Sequence, residues 1–389
     1  MKRFRRFFVV VGLGGFFGFG AALAVPLEIR EDEAAGTLSV MRDGIEVPLL
    51  VQNAGAEFRP YLHPIMAPDG AGELTQFSPG HHKHQTGLYW GMTRVNGRDF
   101  FHHPGGDYWR RVEAEVEEAS GERVKWRTVY QMLDESGGVL LTETQSWSME
   151  IDADGQAVLD LEWKGKAGEV DVTISEYKYG GLFLRMPWEK GTHAHVMTAA
   201  RDRDQKAEGK RAMWLDVGME IEGRDDEAHI AIFDHPKNDG FPNAWRVDGQ
   251  FGVGPSRARQ GDWTIGAGTE KSFRHRLVVY TGEATDKEIT EQWSEWSGQR
   301  YTSALWGIAQ REGREAKFLT PQEAVDAMTV KEGFAANVYA AEPMITQPMA
   351  FCWDDRGRMW IAENRDYESR GSGFANSGDS RILILEDTD

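Results

Sequence analysis

The chain has 389 residues, a length that predicts two domains. Its 62 acidic against 44 basic residues give a formal charge of −18, which excludes nucleic acid and anionic membrane surfaces as natural partners. Hydrophobic residues at 40% with 14 Trp supply a packed core, and a single cysteine, Cys352, excludes an internal disulfide.

In chain order, residues 1–24 read as a secretory signal peptide. Lys2, Arg3, Arg5 and Arg6 form a basic start, Phe7 to Ala24 is apolar, and Ala22-Leu23-Ala24 is an A-x-A cleavage site. The protein is therefore expected to be exported, periplasmic or extracellular, and cleavage would take the charge from −18 to −18 − 4 = −22.

From 25 to 283 the pattern is short strands and turns. Leu141, Trp147, Met149 and Ile151 alternate with polar residues, Asp152-Ala153-Asp154-Gly155 supplies a turn, and Ala157, Leu159, Leu161 and Trp163 alternate again. Period two on both sides of such a turn predicts a hairpin with one wet face. Runs at 123–133, 228–236 and 273–282 read the same way. Many strands without intervening helical patterns predict a mainly β fold, an antiparallel β-sandwich.

The segment 284–318 predicts a helical linker, with Ile289, Trp293 and Trp296 on one face and Asp286 and Glu288 in the first turn. A second unit, 319–389, opens with Thr320 as N-cap, Pro321 at the first helical position and Glu323 closing a capping box. Strands on either side of Asp354-Asp355-Arg356-Gly357 and a third at RILILED follow, too few for a core of their own. The expectation is the opening of a larger domain whose remainder lies beyond residue 389. Cys352, in the apolar MAFCWDD, is expected to be buried filler.

Six of the 11 histidines (His63, His81, His82, His84, His102 and His103) fall between 63 and 103, where roughly one belongs by chance. If GHHKHQTGLYWG runs as a strand, His82 and His84 share a face. They could then start a metal site, with His63 or Glu176 as a further ligand, or serve acid–base chemistry on a polar ligand. Arg59 and His63 in RPYLHPI could present polar tips at a sheet end. SEYKYGGLFLRMPW puts Glu176 and Lys178 on one strand face and Tyr177 and Tyr179 on the other. Gly180-Gly181 there predicts a bulge or a close backbone approach, and Arg185 is a charge inside an apolar run. FDHPKNDGFPNAWRVDG sets His235, Asn238, Asn243 and Arg246 around Trp245, a combination suited to a stacked and hydrogen-bonded sugar. Walker, G-x-S-x-G, HExxH, paired CxxC and C-x-x-C-H motifs are absent from the sequence.

Taken together, RPYLHPI, HHKHQTGLYWG with VNGRDFF, YKYGGLFLRMPW and FDHPKNDGFPNAWRVDGQFGV resemble an exported bacterial family labelled "methane oxygenase PmoA-like". The resemblance covers about 30–283 and implies a β-sandwich of the galactose-mutarotase type, the supersandwich, found among carbohydrate-degrading functions. By position it implies roles for the 81–84 histidines, Glu176, Arg185, His235, Asn238 and Trp245. The stretch 319–389 resembles the start of a "membrane-bound dehydrogenase" β-propeller of Planctomycetota and Verrucomicrobiota, similar to sorbosone or glucose dehydrogenases. Here it amounts to an incomplete blade. The missing remainder of the propeller, with a cytochrome c domain, would be the partner, and PQQ or haem would belong there. Within this chain no cofactor is evident, and a divalent metal at His82 and His84 is the one the residues would admit.

The resulting expectation is an exported carbohydrate-active protein, a sugar-modifying enzyme of epimerase, hydrolase or lyase type acting on a carbohydrate or polyol. His82 or His84 would be the acid, Glu176 the base, and His63, Arg185, His235, Asn238 and Trp245 the binding residues. A non-catalytic glycan-binding module delivering substrate to the dehydrogenase, or a His-ligated metal enzyme, are the alternatives.

Overall fold

The structure, a computed structural model, describes residues 26–387 except 81, 303, 306, 309–318, 366, 370–372, 375–377 and 379. The signal-peptide expectation and His81 lie outside the described residues. The chain divides into two compact units, Met1–Ala304 and Leu305–Asp389.

The first unit begins β1 (Leu27–Asp32), β2 (Thr37–Arg42), β3 (Leu50–Asn53), β4 (Tyr61–Ile65), β5 (Leu88–Gly91) and β6 (Trp109–Glu118). It continues with β7 (Ser120–Gly121), β8 (Arg123–Leu133), β9 (Val139–Ile151), β10 (Ala157–Ala167), β11 (Val172–Ile174), β12 (Gly181–Leu184) and β13 (Ala194–Thr198). It closes with β14 (Trp214–Glu220), β15 (Glu227–Asp234), β16 (Ala244–Val247), β17 (Val253–Ser256), β18 (Trp263–Ile265), β19 (Glu270–Thr281) and α1 (Asp286–Ser297). Among the described residues of this unit, two large antiparallel sheets and a two-stranded one, β11-β18, result. Of the large sheets, one has nine strands in the order β16-β17-β12-β5-β4-β3-β2-β1-β7, and the other eight in the order β13-β14-β15-β19-β10-β9-β8-β6. A mainly β antiparallel sandwich is therefore the fold.

The hairpin read from alternation is β9–β10. Asp152 Oδ1 accepts the Asp154 and Gln156 N–H groups across its turn, and Gly155 takes the left-handed φ of 82° that the turn requires. Buried and half-buried residues alternate along both strands, so one face closes the core. Trp90 of β5 stacks on Trp163 of β10 with centroids 4.5 Å apart, which seals the two sheets together. Burying such a ring removes roughly 150–250 Å² of surface, which stabilises on the order of 4 kcal/mol. Trp126 of β8 donates to Gln52 of β3 at 3.0 Å, satisfying an indole N–H inside the core.

The helix α1 belongs to this unit rather than to a linker. Thr285 caps it in a capping box with Glu288, Ile289 and Trp293 are buried, and Trp293 Nε1 donates to the Asp234 carbonyl at 3.0 Å.

In the second unit the expected capping box starts α2 (Pro321–Asp326). Strands β20 (Pro348–Trp353) and β21 (Met359–Glu363) form the hairpin around Asp354–Gly357, and Arg381–Leu385 pairs with β21. Cys352 is exposed, which corrects the expectation of a buried filler. Every residue of β20 is exposed among the described residues.

Candidate functional site

Strands β4, β5 and β12 lie side by side in the nine-stranded sheet. Leu62, Leu88 and Leu184 form one cross-strand row on the core face. The next row, Tyr61–Tyr89–Phe183, therefore points to the opposite, outer face. Phe101 lies over this row, with its ring 5.4 Å from Tyr89, 5.3 Å from Phe183 and 4.7 Å from Tyr179. Glycines make that approach possible. Gly91 pairs with Gly181 in the same face, and a Cβ at Gly91 would sit 3.2 Å from the Phe101 Cα. Gly181, at φ 123°, has the Pro255 carbonyl where its Cβ would be. The di-glycine close approach is thus real.

Arg59 organises the face. It is fully buried, lies 3.5 Å over the Tyr89 ring, and donates to the Phe101 carbonyl at 2.7 Å, to Thr86 Oγ1 at 3.2 Å and to the His84 carbonyl. Burial lowers its pKa to about 10, which still leaves it charged at neutral pH. One guanidinium fork thereby ties the 84–86 segment to the 99–103 segment.

The imidazoles meet there. His84 and His102 have ring centroids 4.5 Å apart, and His82 lies 5.8 Å from His84. His102 Nδ1 donates to Asp99 Oδ2 at 2.7 Å, leaving Nε2 to accept from the Tyr179 hydroxyl at 3.2 Å. Burial opposes ionisation of Asp99, but the bonds from the His102 ring and backbone and the Phe101 N–H outweigh it and hold its pKa below the ordinary value. Burial raises the Tyr179 pKa, helped by Tyr177, so its hydroxyl stays protonated. Burial, then the charges of His102 and Arg59, lower His84 to about 3.

That shift has a stability consequence. The unfolded chain protonates His84 near its ordinary pKa, about 6.5, while the fold keeps it neutral until about pH 3. The unfolded state binds more protons between these limits, so this group costs stability as pH falls through that window. His84→Asn is expected to lose less of its urea midpoint between pH 7 and pH 5 than the wild type; equal losses in the two proteins would refute the assignment.

Several expectations need correction. The 82–85 segment is a turn rather than a strand, with the Gln85 N–H bonded to the His82 carbonyl, so His82 and His84 do not share a strand face. Burial and the neighbouring charges favour the neutral form of His84 at pH 7, which suits an imidazolium acid poorly. Residues 175–180 are loop, not strand. Glu176 is exposed in that loop, where its N–H donates to Asp262 and its carbonyl accepts from Arg94. The carboxylate beside the imidazoles is Asp99. Arg185 is 2% exposed and bonds Gln76 and the Gln250 carbonyl, so it anchors two loops under the face instead of presenting a surface to a ligand.

Of the rest of the expected set only His63 borders this face, its ring 5.7 Å from Phe77. His63 follows Tyr61 on β4 and bonds Thr75 at 3.0 Å, lining a cleft of about 660 Å³ with Glu73, Phe77 and Glu220. Trp245 is wholly buried, with its indole N–H on the Ala212 carbonyl, so neither ring face is open to a sugar. Asn238 is also buried and spends its amide on Asp234 and both backbone groups of Arg274. His235 packs edge-on against Trp296 in a separate cleft of about 360 Å³, and burial with Arg274 lowers its pKa to about 4. Arg59, Asp99, His102 and Tyr179 are the members that the sequence reading did not assemble. The D-x-x-H spacing of Asp99 and His102 was the available signal.

The galactose 1-epimerase of Lactobacillus acidophilus superposes with a TM-score of 0.33 at 7% identity, over 66% of this chain and 98% of that one. A GalM/aldose epimerase homologue from C. elegans gives 0.30 at 8% identity over 67% and 100%. The α-galactosidase of Lactobacillus brevis gives 0.27 at 8% over 60% of this chain, which spans only 38% of that enzyme. No curated protein matches the sequence. Residues 320–389 match a domain of unknown function, DUF7133. Residues 37–294, about two thirds of the chain, match the family of unknown function DUF6807, and the protein belongs to that family.

Proposed function

We propose that the first unit binds a carbohydrate or polyol on the outer face of the nine-stranded sheet and carries out general acid–base chemistry on it. The observation that carries this reading is the Asp99–His102–Tyr179 chain beside a neutral His84. Asp99 fixes the His102 tautomer so that Nε2 is the basic nitrogen, as an orienting carboxylate does in a base–nucleophile pair. Tyr179 supplies a protonated hydroxyl, and His84 a second neutral imidazole within reach. A donor and an acceptor held side by side can take a proton from one position of a polyhydroxylated ligand and return one to another. Phe77, 44% exposed and 5.5 Å from the Tyr61 ring, has a face on which a sugar ring could stack. In this reading Tyr179 and His102 take the places of the expected acid, His82 or His84, and the expected base, Glu176. Export, and fusion to a sugar-dehydrogenase-like propeller, remain part of the proposal as its setting.

Asp99→Asn and His102→Gln are expected to lower turnover by about 10²–10⁴-fold with the thermal unfolding midpoint nearly unchanged. NMR on a panel of glycans and free sugars would read the reaction, including epimers of equal mass. A ligand bound but unchanged by the wild type would make this a glycan-binding module, and full activity in both variants would remove His102 from the mechanism.

A further inference from the structure

A second histidine group lies on the other sheet, away from the face just described. The pairing of β13, β14, β15 and β19 aligns His195, Gly218, His229 and Tyr280 in one cross-strand row. The adjacent same-face row brings Glu227 opposite Glu220, whose N–H bonds the His193 carbonyl. Three imidazoles therefore converge on one carboxylate. His193 Nδ1 is 2.7 Å from Glu227 Oε1, His195 Nδ1 3.6 Å from Oε2, and His229 Nε2 4.0 Å from Oε2.

The hole between them is built. A Cβ at Gly218 would lie 2.3 Å from His229 Cε1 and 2.9 Å from His195 Cε1, so only glycine lets both rings occupy the space above it. His229 is 3% exposed. Asp216 Oδ1 accepts the Tyr280 hydroxyl at 2.9 Å and Oδ2 accepts His229 Nδ1–H at 2.9 Å. That bond puts the proton on Nδ1 and leaves the Nε2 lone pair free, and buried Nε2 has no hydrogen-bond partner among the described residues. Tyr280 stacks on the same ring at 4.7 Å and fixes its plane. A buried imidazole with a carboxylate on one nitrogen and an empty lone pair on the other is the arrangement of a metal-ligating histidine with its supporting carboxylate.

We infer that His193, His195, His229 and Glu227 form a binding site for a divalent transition-metal ion of the zinc type, with Asp216 orienting His229. Ligand atoms of His193, His195 and Glu227 lie within 4.8 Å of one another, as do those of His195, Asp216 and His229. Ligands about 2.0–2.1 Å from a tetrahedral zinc are about 3.3 Å apart, so His193, His195 and Glu227 can close on an ion by small side-chain movements, with His229 Nε2, 4.0 Å from Glu227, drawn in as the fourth ligand. A set dominated by imidazole selects zinc-like ions over calcium or magnesium, which take oxygen ligands. The group opens on a cleft of about 630 Å³ whose wall carries Arg201 and Arg203 together with Glu283 and Asp286, with Arg201 paired to Asp286 at 3.0 Å, which leaves the ion accessible to water.

The test uses the full chain stripped with chelator and titrated with Zn²⁺ alone, read by calorimetry and by elemental analysis after gel filtration. One equivalent per chain is expected. His195→Ala/His229→Ala should weaken binding by at least about 100-fold, and Asp216→Asn by about 10–100-fold. His82→Ala/His84→Ala should bind as the wild type does. If the double variant fails to fold, His195→Gln alone carries the test, because that side chain is 30% exposed. Substoichiometric zinc, or one equivalent retained in the His195 variants, would overturn the site and leave an adventitious ion only or a site elsewhere.

Discussion

Arg59→Met should lower folding stability by about 3 kcal/mol and abolish ligand turnover at the outer face. Two effects compete. Removing a buried guanidinium that has no carboxylate within ion-pair distance among the described residues relieves a desolvation cost. Against this, the Phe101 and His84 carbonyls and Thr86 Oγ1 lose a charged donor, and Met supplies none. Each such bond to a charged group contributes about 1.5–3 kcal/mol, so the three losses outweigh the relief. The stacking on Tyr89 is lost as well. Arg59→Lys keeps the charge but not the fork, and one ammonium cannot hold both segments in register. It should therefore recover part of the stability and little of the activity. Urea midpoints and turnover of the two variants decide the matter. A loss under about 1 kcal/mol in the Met variant would mean that the 84–86 and 99–103 segments are held by something other than Arg59.

The strands were readable from sequence because burial on a pleated sheet has a period of two. Runs 123–133 and 228–236, and the turn at Asp152, coincide with β8, β15 and the β9–β10 hairpin within a residue or two. The histidine excess was readable as a count, and the fold does gather His82, His84 and His102. Their geometry was not readable, because the 82–85 turn is shaped by bonds from Arg59, more than twenty residues away. His63 sits at the edge of this face beside Phe77, and His103 belongs to another neighbourhood, stacked on Tyr108. Asp99 was missed because its value depends on that same tie. The loop around Trp245 misled for a different reason. Short polar side chains beside an indole suit a sugar, but they also suit a buried loop whose backbone must find partners inside the protein. The second histidine group escaped because its members sit on or beside three strands and only the pairing register brings them together.

The loop makes the second large prediction. Asp234→Ala should cost about 3–5 kcal/mol while leaving the ligand preference of the surviving folded protein unchanged. Asp234 is wholly buried at the end of β15. Its Oδ1 accepts from Asn238 at 2.6 Å, and its Oδ2 accepts the Asn243 N–H at 2.7 Å and the Asn243 amide at 3.1 Å. Alanine leaves these donors buried without an acceptor, and at about 1–3 kcal/mol each their sum dominates any gain from removing a buried carboxyl. The Trp293 indole keeps its bond, because it uses the Asp234 carbonyl, so α1 should stay docked. Asn238→Ala removes a single member of the group and should cost less than Asp234→Ala. Denaturant titrations of both variants, paired with ligand binding at a temperature where each is folded, separate scaffold from site. Weakened sugar binding with unchanged stability would restore this loop to the binding surface. The expected loss of stability with binding intact fixes it as the brace that holds β15, β16 and β19 together behind the sandwich core.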